Sequence, residues 1–183
     1  MAVARTLILT ALLITLAARA EAAPLQSSEF GESQRILHSL GGDDLRAFFG
    51  FTPSITVFSS SMPNAYWLGA GRIYISQSLI NTARSEAELA FVIAHELAHG
   101  LLNHPSAAFA QSSASETALA EREAEADELA LKLLKNAGFD PVEGAGLLER
   151  VRAKYFSRAG LTNWDLSVSR RVLRLRAFIA ELR

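Results

Sequence analysis

The chain contains no cysteine, which excludes a disulfide framework and any metal or cluster held by thiolates. Five prolines and eleven glycines are too few for a fibrous or linker-like composition. Neither sign of charge is in excess. Eighteen Lys+Arg against nineteen Asp+Glu leave a net charge of -1, so nucleic acid is not an expected partner. Long apolar runs are also missing beyond residue 22: the longest stretch there, Leu89 to Ala94, is far short of the roughly 20 residues that span a bilayer. What remains is 183 residues, 50% hydrophobic and 20% charged, the profile of one ordinary globular domain.

The N-terminal segment reads as a targeting sequence. Arg5 precedes an apolar run from Leu7 to Ala18, and Ala20-Glu21-Ala22 has the small-x-small form of a cleavage site. Residues 1–22 are therefore expected to be a signal peptide, with a single domain over 23–183. The protein is expected to be exported, periplasmic in a bacterium and secreted otherwise. Ala23 to Glu32 reads as a flexible leader, followed by short helices over Glu32 to Leu40 and Asp43 to Phe49, separated by Gly41-Gly42. Ile55 to Phe58 reads as a strand, and Ala65 to Leu68 with Arg72 to Ser76 as a hairpin around Gly69-Ala70-Gly71. From Gln77 the pattern is helical, with a Ser/Ala loop from Pro105 to Ser115 between two long helices. The fold class expected is α+β, mostly helical, with a small sheet beside one central helix.

That central helix carries the chemistry. Ser85 and Glu88 form a capping-box pattern at its start, and His95-Glu96-Leu97-Ala98-His99 is an H-E-x-x-H sequence within it. His95 and His99 lie about 40° apart and one turn along, so both imidazoles reach a single ion while Glu96 sits beside it. With four histidines in the chain the motif has a chance expectation of about 0.7%. Three of those four fall within ten residues, which chance scatter does not favour.

The next helix, Glu116 to Ala137, divides its acidic residues between two faces. Glu121, Glu125 and Glu128 share one stripe with Lys132 and Lys135, which reads as a solvated face. Glu123 and Asp127 lie opposite, among Leu119, Ala126, Ala130, Leu133 and Leu134. A carboxylate on an apolar face must meet a cation or a set of donors. One solution makes Glu123 the third ligand of a metal held by His95 and His99, with Asp127 accepting the free N–H of a ligating imidazole. The other pairs both acids with arginines of the C-terminal region. His104, if the helix continues, points about 160° away from the other two and reads as a hydrogen-bonded structural histidine. His38 carries no assigned role.

His95-Glu96-Leu97-Ala98-His99 followed by Glu123-Ala124-Glu125-Ala126-Asp127 resembles the H-E-x-x-H plus E-x-x-x-D pair of the zinc metalloendopeptidase family that includes HtpX, BepA and the CAAX prenyl endopeptidase. Gly71-Arg72-Ile73-Tyr74-Ile75 is similar to the strand before the active helix there, and the likeness covers roughly residues 60–145. The resemblance implies a zincin-like domain with one Zn2+ per chain, ligated by His95, His99 and Glu123. It makes Glu96 the general base, Asp127 a supporting residue, and Arg72, Ile73, Tyr74 and Ile75 an edge strand for the substrate backbone. The family's His-Pro pair before a late arginine has no counterpart at Thr162 to Leu166, while Arg171 matches that arginine as a transition-state contact. The substrate class implied is unfolded or damaged envelope protein. The alternative is a zinc-stabilised chaperone or adaptor with little or no catalysis, for which the missing histidine and the small size speak.

The C-terminal stretch from Arg150 holds nine of the eighteen basic residues. Val168, Val172, Leu175, Ile179 and Leu182 make one apolar stripe with Arg170 and Arg174 opposite and Arg171 and Arg176 flanking. This reads as a helix packed on the core, with peripheral contact to a membrane surface or an acidic partner as the alternative.

Overall fold

The computed structural model describes residues 27–106, 115–151, 153–154 and 163–182; the expected signal segment and most of the Pro105 to Ser115 loop lie outside them. The described elements run α1 (Ser27–Ser39), α2 (Gly42–Phe49), β1 (Ser54–Phe58), β2 (Ala65–Trp67), β3 (Arg72–Ser76), α3 (Gln77–Ile80), α4 (Glu86–Leu101), α5 (Glu116–Asn136), α6 (Pro141–Val151) and α7 (Asn163–Leu182). The protein is an α+β, mostly helical domain with one small mixed sheet. The first helix starts at Ser27, five residues before the expected Glu32, so part of the supposed leader is helical.

Strand alternation decides which face of the sheet is buried. Ile55 and Val57 of β1, Ile73 and Ile75 of β3 and Trp67 of β2 all lie against the helices, each 7% exposed or less. The sheet order is β1-β3-β2, with β3 parallel to β1 and antiparallel to β2. This corrects one expectation. Arg72 to Ile75 belong to the central strand, whose backbone is already paired on both sides, so they have no free edge for a substrate. The edge nearest the helix that carries His95 and His99 belongs to β2. The hairpin joining β2 to β3 forms as expected, with positive φ at Gly69, Ala70 and Gly71. At Gly71 a Cβ would also come within 2.3 Å of the Phe51 ring, so the turn requires glycine on both counts.

Helix α4 is the hub. The Ser85 hydroxyl accepts the Glu88 N–H at 3.3 Å, closing the first half of the capping box. The Glu88 carboxylate turns instead to the Arg84 N–H at 2.7 Å and to Arg150 on α6, which ties the helix start to its neighbour. From Ala87 to Ala98 nearly every side chain is buried, as expected of a helix enclosed on all sides. The sheet covers one side of it, α5 and α6 another, with α1 against its start and α7 behind α5 and α6. The α7 stripe is core: Val168, Val172, Leu175 and Ile179 are buried, each worth about 1.5–3 kcal/mol of transfer free energy. No helix among the described residues is long and apolar enough to cross a membrane.

Candidate active site

His95, Glu96 and His99 lie on α4, and their positions follow from its interior place: His95 and Glu96 are each only 8% exposed. Helix α5 packs alongside and brings Glu123 to the imidazoles. His95 Nε2 and His99 Nε2 are 3.1 Å apart, and the Glu123 carboxylate oxygens stand 3.4 Å and 3.5 Å from them. A tetrahedral zinc site with ligands near 2.1 Å needs donors about 3.4 Å apart, so the three groups stand at ligand spacing. Glu96 is not part of this donor set. Two imidazole nitrogens and one carboxylate suit a divalent ion of zinc's character, and three protein donors leave a position for solvent or substrate.

The outer contacts orient each ligand. Asp127, one turn beyond Glu123 and 3% exposed, receives His95 Nδ1–H at 2.9 Å. Arg171 from α7 closes the group. Its Nε and one terminal nitrogen grip the Asp127 carboxylate at 2.8 Å and 2.7 Å, and its other terminal nitrogen meets Glu123 at 2.8 Å. The two acids thus face the histidines and pair with one arginine. Arg171, read as flanking the α7 stripe, turns inward to do so, leaving 18% of its side chain exposed.

His104 is not a donor to the cluster, but the premise about its direction fails. The helix stops at Leu101 and Asn103 takes φ 55, which folds His104 back so that its Nδ1 lies 3.0 Å from His99 Nδ1. Its Nε2 meets Glu125 at 3.1 Å. Both contacts escaped the sequence reading, although Asn103 and Pro105 were available as stop signals that end a helix before residue 104.

The electrostatics describe a place made for positive charge. Burial pushes the His95 imidazole down, but hydrogen bonds to Asp127 and Glu123 outweigh it and lift the group to about 10. Burial and the neighbouring His95 charge push His99 down to about 3. Burial works against the charged forms of Glu123 and Asp127, yet Arg171 first and His95 second hold both well below the usual carboxylate range. One proton thus occupies the cluster at neutral pH, on His95, where a metal ligand must be unprotonated. Zinc uptake at pH 7 is expected to release about one proton, and the apparent affinity to rise about tenfold per pH unit from 6 to 8. Calorimetry in two buffers of different ionisation enthalpy measures the release; a pH-independent affinity contradicts it.

Glu96 behaves differently from its neighbours. Burial raises its carboxyl to about 7, opposed by the His95 charge and by a hydrogen bond from the Trp67 backbone N–H. That bond comes from β2, the free edge of the sheet. Strand and helix approach so closely because residue 100 is glycine: a Cβ there would lie 2.4 Å from the Trp67 ring. Between them opens a cavity of about 290 Å³. Asn64 to Trp67 form one wall, His95, Glu96, His99 and Glu123 the floor, and Phe91, Val92, Leu147, Leu148 and Val151 an apolar side.

A metal-capable H-E-x-x-H helix under a sheet edge defines a class, and the sequence places the chain in it. Residues 27–121, just over half of the chain, match the family described as Peptidase family M48, and the protein belongs to that family. Members of that family are peptidases, and His95, His99 and Glu123 form the group here that could hold a metal ion. The match takes in the sheet and both helix histidines and ends two residues before Glu123. Among relatives, the mitochondrial metalloendopeptidase OMA1 of Arabidopsis thaliana is 29% identical over 117 residues, covering 50% of this chain and 24% of that protein. The chain thus spans about a quarter of that relative's length.

Proposed function

We propose that the protein is a zinc-dependent metalloendopeptidase in which His95, His99 and Glu123 hold the ion and Glu96 is the general base. The observation that carries this is the division of the four side chains: three at tetrahedral spacing, and a fourth, buried and titrating near neutrality, left outside the set. When bound, zinc supplies a Lewis acid that polarises a peptide carbonyl and acidifies water. Glu96 does the proton work, taking a proton from the attacking water and handing it to the departing amine; a carboxyl poised at about 7 both accepts and returns it at neutral pH. The Trp67 N–H fixes the direction in which that carboxylate faces. Among the described residues Arg171 is the arginine lining the cavity, and it faces negative charge developing on the substrate.

The substrate strand runs along β2, residues 65–67, in place of the central strand. Pairing with the backbone of an edge strand recognises an extended chain independently of its side chains. That suits unfolded or damaged proteins, and if the chain is exported these are proteins of a cell envelope. Incubating the purified protein with reduced, denatured casein tests the reading: cleavage is expected, abolished by a zinc chelator and restored by added zinc. One zinc bound per chain with no turnover on unfolded substrates overturns it in favour of the chaperone or adaptor reading.

A further inference from the structure

His95 and His99 present the same nitrogen, Nε2, to the cluster, which leaves Nδ1 of each to carry the hydrogen. For His95 a buried carboxylate receives that hydrogen. For His99 the partner is another imidazole, His104 Nδ1 at 3.0 Å, and an N–H facing an N–H is excluded. Nδ1 of His104 must therefore accept, its own hydrogen must sit on Nε2, and Nε2 faces Glu125 at 3.1 Å. We propose that His104 and Glu125 are positioning residues for the metal centre: Glu125 selects the tautomer of His104, and His104 in turn holds His99 in the tautomer and ring orientation that offer Nε2 to the ion. The inference rests on the metal-centre reading above but not on catalysis.

The two orienting chains differ in setting. Asp127 is buried and locked by Arg171. The Glu125 side chain is 63% exposed, while His104 beneath it is 9% exposed. The outer end of the His99 chain is therefore open to solvent, and a substitution there does not disturb the core. A loose, exposed glutamate would ordinarily count as a solvated surface group. Here its partner is enclosed, and among the described residues that partner's other nitrogen bonds to His99, which makes the acceptor at position 125 consequential.

The test varies acceptor character at 125. Glu125→Gln keeps a carbonyl acceptor, and zinc affinity, measured by competition with a chromophoric chelator, is expected to stay within about threefold of the native protein. Glu125→Lys offers only donors, which favours the His104 tautomer with a bare Nε2 and sets its Nδ1–H against that of His99. Zinc affinity is expected to fall about tenfold or more, the scale seen when such outer partners are lost. In the His104→Gln background the amide oxygen receives the His99 hydrogen without help from Glu125, and adding Glu125→Lys is expected to change nothing further. This separates tautomer selection from simple repulsion between a lysine and the ion. In the metal-free protein, 15N shifts of the His99 ring report the hydrogen on Nδ1 in the native chain and in Glu125→Gln, and its redistribution in Glu125→Lys. Native affinity and an unchanged His99 tautomer in Glu125→Lys overturn the proposal, as does an equal loss in both backgrounds. If the native chain binds zinc but cleaves nothing, the peptidase reading fails while these measurements still decide the role of His104 and Glu125.

Discussion

Glu96→Gln is expected to keep one zinc per chain and to lose cleavage by about 10³-fold, the middle of the range assigned to a positioned general base. The two halves of this result come from different atoms. Zinc retention follows because Glu96 contributes no donor to the cluster of His95, His99 and Glu123. Loss of turnover follows because an amide of the same shape still accepts the Trp67 N–H but cannot take a proton. The substitution should also be mild for folding. A carboxyl raised from 4.5 to about 7 by burial makes the native state less stable as pH climbs through that interval, since its charged form is disfavoured inside. Glutamine has no such penalty, so the variant is expected to melt no lower than the native protein at pH 8. Metal analysis, casein turnover and a melting curve on one preparation check all three; loss of zinc in Glu96→Gln contradicts the division of roles.

Asp127→Ala is expected to have the largest effect on stability. Removing this carboxylate leaves the Arg171 guanidinium, 18% exposed, without its two-pronged partner and leaves His95 Nδ1–H without an acceptor. Breaking a buried ion pair on one side costs about 3–5 kcal/mol, or a melting temperature lower by about 6–20 °C at this chain length. Zinc affinity should fall about 10- to 100-fold as well, because the ring it orients is a ligand. The contribution is pH-dependent with a definite sign. Asp127 is held below its ordinary carboxyl range, so its stabilisation is present above pH about 4 and fades as pH falls further. Glu123→Ala separates the two consequences: this side chain is 37% exposed, so zinc should be lost with a much smaller fall in melting temperature. A native melting temperature in Asp127→Ala would show that Arg171 finds other partners.

Legibility of the site in the sequence varied residue by residue. Whatever depends on spacing along one helix was readable: two imidazoles one turn apart with a glutamate beside them, and two acids on an apolar face. The pairing of those acids was not, because periodicity shows that a charge is buried without showing what it meets. Arg171, from an element 44 residues further on, turned out to pair with them beside the histidines. Glu125 is exposed as expected, but its contact with His104 was not legible, because a helical wheel shows the face of one helix and not the chain that folds back over it. The backbone reversal at Asn103 brings His104 to that face.

The substrate edge shows the same limit in the sheet. Alternation identified three strands and which side chains point inward, and it located the turn at Gly69-Ala70-Gly71. It did not order the strands. A hairpin leaves either of its members free to receive β1, and packing chose β3, whose Ile73 and Ile75 are fully enclosed. That choice moved the open edge to β2 and set its backbone against Glu96.

By itself the sequence determined the H-E-x-x-H helix, its two histidines and its glutamate, and the two acids that had to be neutralised, because helical spacing and the cost of burying charge are local matters. Only the tertiary structure decided which cation meets which acid, which strand lies open above the site, and that a surface glutamate reaches His99 through His104. Those depend on contacts between elements distant in the chain, and no periodicity along one element encodes them.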